Sequence, residues 1–436
     1  MSQYIIGQPF YATPQARFNN AIFHKFLPGT TNGDPANGGA GAGTTQGNTY
    51  SYKFEAEGEF DAVRFMWLNH TANAVNNCKA VVAATETADI STVSNTTLPI
   101  SGGTAFNALR SGTDTYGWNT VTWAGASTIN IASGGSVATP AVATSDWITC
   151  NSIPRADGGT RPLLLLRLYQ NGAVDGAHSF LSNVAYSNMR TPSTANRGRI
   201  VQIARAFGAD AVGTLGTALS LATDCIPIAV QFRYRRRGLS VVTIGDSLAS
   251  NDALVTDGMS NWLHRACFDL STPDFPIAPS NLGYSSQTSA TYLAASKVLL
   301  ATMLPDVAFF APFSPNDIAT PTRRSVWDGL ARAADFLDFC ATNRIIPIIW
   351  TPAPMDSYTA ATDAFRVFVA SEVLKMAVSK GIVVADMNAA VRKNATLPER
   401  WATAYYNDGI HPNEAGVELM SSVAKAAIQK AIATYQ

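Results

Sequence analysis

The apolar pattern of this 436-residue chain changes character near residue 237, and that change limits the folds open to it. Beyond it, short apolar runs alternate with longer segments of helical period. Leu239–Ile244, Pro276–Leu282, Val307–Pro312, Ile345–Thr351 and Ile382–Asp386 read as strands. Ala253–Phe268, Thr288–Leu304, Arg323–Thr342, Asp363–Ser379 and Asn413–Thr434 read as helices between and after them. In the last helix Val417, Met420, Val423, Ala427 and Ile428 share one face. Apolar strands that alternate with helices build a parallel sheet covered on both sides.

Residues 49–236 have a different texture. Tyr50–Phe54, Ala62–Leu68, Ala80–Ala84, Trp118–Trp123, Thr128–Ile131, Pro162–Tyr169 and Ile228–Tyr234 are short runs rich in β-branched and aromatic residues, parted by Gly, Asn, Ser and Asp. That spacing predicts an all-β, jelly-roll-like sandwich. Residues 1–48 end in a Gly/Thr/Asn-rich run from Pro28 to Gly43, read as an arm and flexible loop. No Gly-Lys-Ser/Thr follows it, so it is no phosphate loop. The division is therefore 1–48, 49–236 and 237–436, as a chain of this length leads one to expect.

Composition excludes several functions. Thirty-one basic residues balance thirty-one acidic ones, which leaves no net field to draw nucleic acid or an anionic membrane. No apolar run is long enough to span a bilayer. Met1–Gly7 lacks the basic and apolar segments of a secretion signal, which leaves the compartment open, extracellular or phage-associated settings included. Cys78, Cys150, Cys225, Cys267 and Cys340 are odd in number and lack metal-ligand spacing, so buried free thiols are expected. His24, His70 and His178 show no metal spacing with carboxylates, and neither a metal nor a cofactor is expected.

In open parallel sheets, ligands bind beyond the carboxyl ends of the strands, where strand order reverses. The first strand is followed by Gly245-Asp246-Ser247 and the second by Asn281 through Thr288. The third is followed by Ser314-Pro315-Asn316-Asp317, and Asp408-Gly409-Ile410-His411 precedes the last helix. With strand order 2-1-3-4-5, the first three loops border one crevice, and the last helix brings His411 to its rim. A serine hydroxyl becomes a nucleophile when a neighbouring base takes its proton, and a carboxylate can fix that base. Each residue also has a structural use: Ser247 as a helix cap, Asn316 as a turn former, Asp408 and Asp317 as caps.

These four blocks, in this order, resemble the SGNH (GDSL-like) hydrolase family over residues 237–436. The resemblance implies a flavodoxin-like α/β/α fold and ester hydrolysis through an acyl-enzyme. It implies Ser247 as nucleophile and carries over Asp408 and His411 from the family's Asp-x-x-His block. The oxyanion donors it implies are the amides of Ser247 and Ser286 and the side chain of Asn316. Serine stands at 286 and 314, where the family usually has glycine; Gly283 is the weaker candidate for the second amide.

The expected substrate is an acylated small molecule or glycan, with an O-acetylated carbohydrate favoured by the aromatic-rich β region. Tyr116, Trp118, Trp123 and Trp147 are candidate sugar platforms there, though such residues more often fill a core. Arg233, Arg235, Arg236 and Arg237 read as a solvated strand edge. His264 reads as structural, and Asp386 as a loop-orienting residue. The competing readings are a structural or adhesive module with a degenerate hydrolase domain, and a lipase or lysophospholipase.

Overall fold

The computed structural model describes residues 22–26, 48–69, 74–85, 118–134, 141–155, 158–171, 178–179, 201–206, 220–221, 224–225, 228–250, 261–283, 287–317 and 323–435. Five strands form a wholly parallel sheet: β1 (Leu239–Gly245), β2 (Ile277–Gly283), β3 (Val307–Phe310), β4 (Ile346–Trp350) and β5 (Val383–Ala385). Their order is β2-β1-β3-β4-β5, the order anticipated above. All seven residues of β1 are buried, as a central strand covered on both faces requires.

The helices are α1 (Ser247–Ser250), α2 (Trp262–Leu270), α3 (Ser289–Met303), α4 (Arg323–Asn343), α5 (Ala360–Ser379), α6 (Met387–Val391) and α7 (Glu414–Tyr435). Side-chain caps set several starts. Asn261 accepts from the His264 amide, Thr288 from Thr291, Thr359 from Thr362 and Asp386 from Ala389. The helix expected from Ala253 begins at Trp262, because Asn261 caps it there; residues 251–260 lie outside the described ones. Trp262 packs edge-on against both Phe309 of β3 and Trp350 of β4, at 5.6 and 5.8 Å between centroids.

Beside a two-stranded sheet of His178–Ser179 and Asp224–Cys225, the described residues of the N-terminal part form two larger antiparallel sheets. One runs Ile22–Phe26, Ile228–Tyr234, Phe60–Asn69, Ala141–Thr144, and Ile148–Thr149 also pairs with Phe60–Asn69. The other runs Ser220–Leu221, Val201–Ala206, Asn48–Glu55, Leu163–Asn171, Val75–Thr85, Asn119–Thr120, and Ile129–Ile131 also pairs with Val75–Thr85. Phe60, Met66, Trp67, Val82, Leu164, Leu166 and Phe232 from these sheets join one hydrophobic cluster that continues into the α/β part. Gly58 lies against Pro276, and the Arg161 guanidinium sits 3.9 Å from the Phe268 ring centroid.

Two sequence expectations need correction here. Ile22–Phe26, within the segment read as an arm, is a strand paired antiparallel with Ile228–Tyr234; the Gly-rich run lies outside the described residues. Consequently Ile228–Tyr234 has neighbours on both sides and is not an edge. Arg233 and Arg235 project outward from that region and pair with Asp61 and Glu59, while Arg236 reaches Asp274.

Among the candidate platforms, Trp123 is 5% exposed and packs against Trp67, so it is core. Trp118 and Trp147 are half-buried, with Arg167 and Arg64 over their rings; Tyr116 lies outside the described residues. Cys78, Cys150, Cys267 and Cys340 are buried free thiols, and burial pushes Cys78 and Cys150 up to about 12. Among the described residues no helix is long and apolar enough to cross a membrane, and no three His, Cys, Asp or Glu side chains are grouped to hold a metal.

Candidate active site

The end of β1 explains how Ser247 comes to lie at the carboxyl edge of the sheet. A Cβ on Gly245 would lie 2.8 Å from Trp350 Cζ2 and from Ala249 Cβ, so only glycine lets the chain turn this close to the β4 tryptophan. Asp246 then caps α1: its Oδ1 accepts from the Leu248 amide at 2.9 Å and its carbonyl from Ala249 at 3.0 Å. The cap is therefore Asp246 rather than Ser247. The Ser247 hydroxyl lies 2.9 Å from His411 Nε2.

His411 is held from its other side. Asp408 Oδ2 is 2.7 Å from His411 Nδ1, while Oδ1 accepts from the amides of His411 and Ile410 at 2.8 and 3.0 Å. One carboxylate thus fixes both the turn and the ring. A carboxylate can only accept, so Nδ1 carries the proton and Nε2 presents its lone pair to the serine hydroxyl. Partial burial of Asp408 is outweighed by these hydrogen bonds, which hold it below the usual carboxylate range. Gly409 makes the turn with φ +83°, and its carbonyl accepts from the Asp356 amide at 2.9 Å.

Beyond the histidine, Asn413 Oδ1 accepts from the Gly416 amide at 3.0 Å and starts α7. Arg265 of α2, 2% exposed, pairs with Glu414 at 2.6 Å and with Glu418 at 3.3 Å. Trp262 Nε1 donates to the Leu248 carbonyl at 3.0 Å. Hence α2 ties the segment bearing Ser247 to the helix that follows His411. Ser247 and the local pair Asp408–His411, 164 positions further along the chain from serine to histidine, meet in one hydrogen-bonded line. Ser247 is 8% exposed, and the side chains of His411 and Asp408 are 20% and 49% exposed.

The remaining candidates stand differently. Ser286 lies outside the described residues. The Gly283 amide donates to Asn281 Oδ1 at 2.8 Å, an engagement that counts against it as an oxyanion donor. Asn316, on a 3-10 turn over Pro315–Asp317, has its Nδ2 directed to the Gln287 carbonyl and to Ser314 Oγ, both at 3.1 Å. Asp317 accepts from the amides of Ser314 and Ser289 and lies 3.6 Å from Arg332, which locks the turn to the start of α3. His264 is fully buried, with Nδ1 2.7 Å from Asn261 Oδ1, and Asp386 accepts from Thr351 Oγ1 and Ala389. The side chains of His24, His70 and His178 lie outside the described residues.

Sequence reading missed Asp246 and Ser314. Both are fully buried, and Ser314 Oγ donates to Asp246 Oδ2 at 2.5 Å. Burial pushes the Asp246 carboxyl up to about 6, against the hydrogen bonds from Ser314 and the Leu248 amide. The serine at a position where the resemblance leads one to expect glycine was the available signal.

Solved structures similar to this chain include a member of the lipolytic protein G-D-S-L family from Veillonella parvula, at 17% identity and TM-score 0.36, covering 44% of this chain and 98% of that one. A GDSL-like lipase from Bacteroides thetaiotaomicron matches at 18% identity and TM-score 0.35, over 44% of this chain and 88% of its own. An acetylxylan esterase from Geobacillus stearothermophilus matches at 16% identity and TM-score 0.36, over 44% and 94%. No family model and no curated protein matches the sequence.

Proposed function

We propose that this protein is a serine-dependent carboxylic ester hydrolase that works through an acyl-enzyme on Ser247. The observation that carries the reading is the line Ser247 Oγ, His411 Nε2, His411 Nδ1, Asp408 Oδ2, with separations of 2.9 and 2.7 Å across its two hydrogen bonds. In the first step Ser247 Oγ attacks the ester carbonyl while His411 Nε2 takes its proton, and Asp408 supports the imidazolium. The carbonyl oxygen becomes an oxyanion, facing the Ser247 amide, the Ser286 amide and Asn316 Nδ2 as its proposed donors. Collapse expels the alcohol, protonated by His411. Water, deprotonated by His411, then attacks the acyl-enzyme and releases the acid.

Residues 237–436 form the catalytic unit in this reading. Residues 49–236 form a sandwich of the two antiparallel sheets, and 1–48 an arm that adds a strand. A short acyl group on a carbohydrate is the proposed substrate, supported by half-buried Trp118 and Trp147 in the β part. The reading of a degenerate structural module rests on serine at 286 and 314; the complete Ser247–His411–Asp408 line weighs against it.

The test is acetate release from acetylated oligosaccharides beside a p-nitrophenyl ester series of rising chain length, with wild type and Ser247→Ala. Release of acetate by wild type alone, with activity falling as the acyl chain lengthens, is expected. A preference for long chains would replace the acetyl esterase with a lipase. Hydrolysis undiminished in Ser247→Ala would remove Ser247 as nucleophile.

A further inference from the structure

The Ser314 hydroxyl has four polar neighbours but one proton and two lone pairs. Asp246 Oδ2 lies at 2.5 Å, and the Gln287 carbonyl, the Asn316 amide and Asn316 Nδ2 each lie at 3.1 Å. With Asp246 charged, one arrangement satisfies nearly all of them. The proton goes to the carboxylate, the shorter and charge-assisted bond. The two lone pairs accept from the Asn316 amide and from Nδ2. The second Nδ2 proton goes to the Gln287 carbonyl at 3.1 Å. Every group is then paired, although Ser314 and Asp246 are fully buried.

We infer that Ser314 is a positioning residue of this site: its hydroxyl joins the carboxyl beside the nucleophile to the side-chain amide of Asn316. This rests on the ester-hydrolase reading above and assigns a residue that the resemblance does not. In the resting site Asn316 Nδ2 is held by two neutral acceptors. An oxyanion is the stronger acceptor, so one of those bonds exchanges for it as charge develops. Until then the amide is kept in place without ordering cost at the moment of reaction.

Protonation of Asp246 breaks the pattern. The acid would donate to Ser314 Oγ, the Ser314 proton would turn to the Gln287 carbonyl, and one lone pair would remain for two Asn316 donors. The groups that face Asp246 are His411 before α7, Asp317 on the 3-10 turn, Tyr292 of α3 and Tyr358 before α5. His411 favours the charged form and Asp317 opposes it. The Ser314 hydrogen bond also favours the charged form, so removing it moves the Asp246 titration to higher pH.

The experiment uses the full-length protein with p-nitrophenyl acetate and a fluorophosphonate label, comparing wild type, Ser314→Ala, Asn316→Ala and the double variant across pH. Ser314→Ala is expected to lower kcat roughly ten- to hundredfold, with KM within about threefold. Its acid limb should shift to higher pH. The same change should cost little more in the Asn316→Ala background, because the two act as one unit. If Ser314→Ala does not fold, Ser314→Gly carries the same expectations. A kcat within twofold of wild type with an unmoved acid limb would overturn the assignment, as would fully additive losses in the double variant. A folded wild type that neither hydrolyses the ester nor takes the label would instead defeat the ester-hydrolase reading.

Discussion

Two charged networks sit in the α/β part, and they are built to opposite rules. At the rim, the side chains of Asp408 and His411 are partly exposed and their chain of hydrogen bonds ends on the Ser247 hydroxyl. Beneath it, Arg366 is 1% exposed and spends its guanidinium on Asp363 and Glu399, both at 2.6 Å, on Asn388 at 2.8 Å and on the Pro352 carbonyl at 3.0 Å. Glu399 also receives Arg392 at 2.7 Å and Asn388 Nδ2 at 2.9 Å. Burial works against the Glu399 charge, but the Arg366, Asn388 and Arg392 hydrogen bonds win and hold it below its usual range. The first network ends on a single hydroxyl, the nucleophile of the proposed reaction; the second closes on itself and fixes the loop after β4. That loop supports the site, since Asp356 binds the Gly409 carbonyl and Tyr358 Oη reaches Pro315 at 3.4 Å.

The sharpest way to break this comparison is to remove one member of each network. Ser247→Ala or His411→Ala should cost about 10⁴-fold or more in kcat, with the melting temperature near that of wild type. Arg366→Met should do the reverse. It removes the cation shared by two buried carboxylates and should cost about 3–5 kcal/mol of stability, while kcat per folded molecule falls far less than in the Ser247 and His411 variants. Calorimetry and active-site titration on the same samples separate the two. Equal loss of stability in the Ser247 and Arg366 variants would erase the distinction.

A smaller effect distinguishes the carboxylates by sign. Glu399 is depressed when folded, so it contributes stability above the ordinary carboxylate range and loses it as pH falls through its lowered value. Asp246 is raised to about 6, so its contribution is present below the ordinary range, near 4, and is lost as pH rises through about 6. Asp246→Asn should therefore melt at an equal or higher temperature than wild type at pH 8, yet turn over more slowly. Glu399→Gln should lose stability at pH 8 and less of it at pH 4. Melting curves at the two pH values check both, and a matching pH dependence for the two variants would contradict the assignment.

Much of the parallel sheet was legible because its information is local. Five apolar runs, each bounded by turn residues, marked the strands, and the Asp408–His411 spacing is contained in four residues; the order 2-1-3-4-5 was a supposition that the pairing bears out. What escaped was non-local. Asp363 and Arg366 are a local i,i+3 pair on α5, but only folding brings Asn388 and Glu399 to them. The need for Gly245 comes from Trp350, 105 residues away. The strand at Ile22–Phe26 is defined by its pairing with residues near 230, so a polar, Gly-rich context hid it. Ser314 looked like a defect in a motif, because its partner Asp246 lies beyond a different strand.

The most direct measurement is the site of covalent labelling by a fluorophosphonate, read by peptide mass on the folded full-length protein. Label on Ser247 is expected in wild type, absent in Ser247→Ala and greatly slowed in His411→Ala. A folded protein that takes no label, or takes it on a different serine, would contradict the claim that His411 and Asp408 activate Ser247.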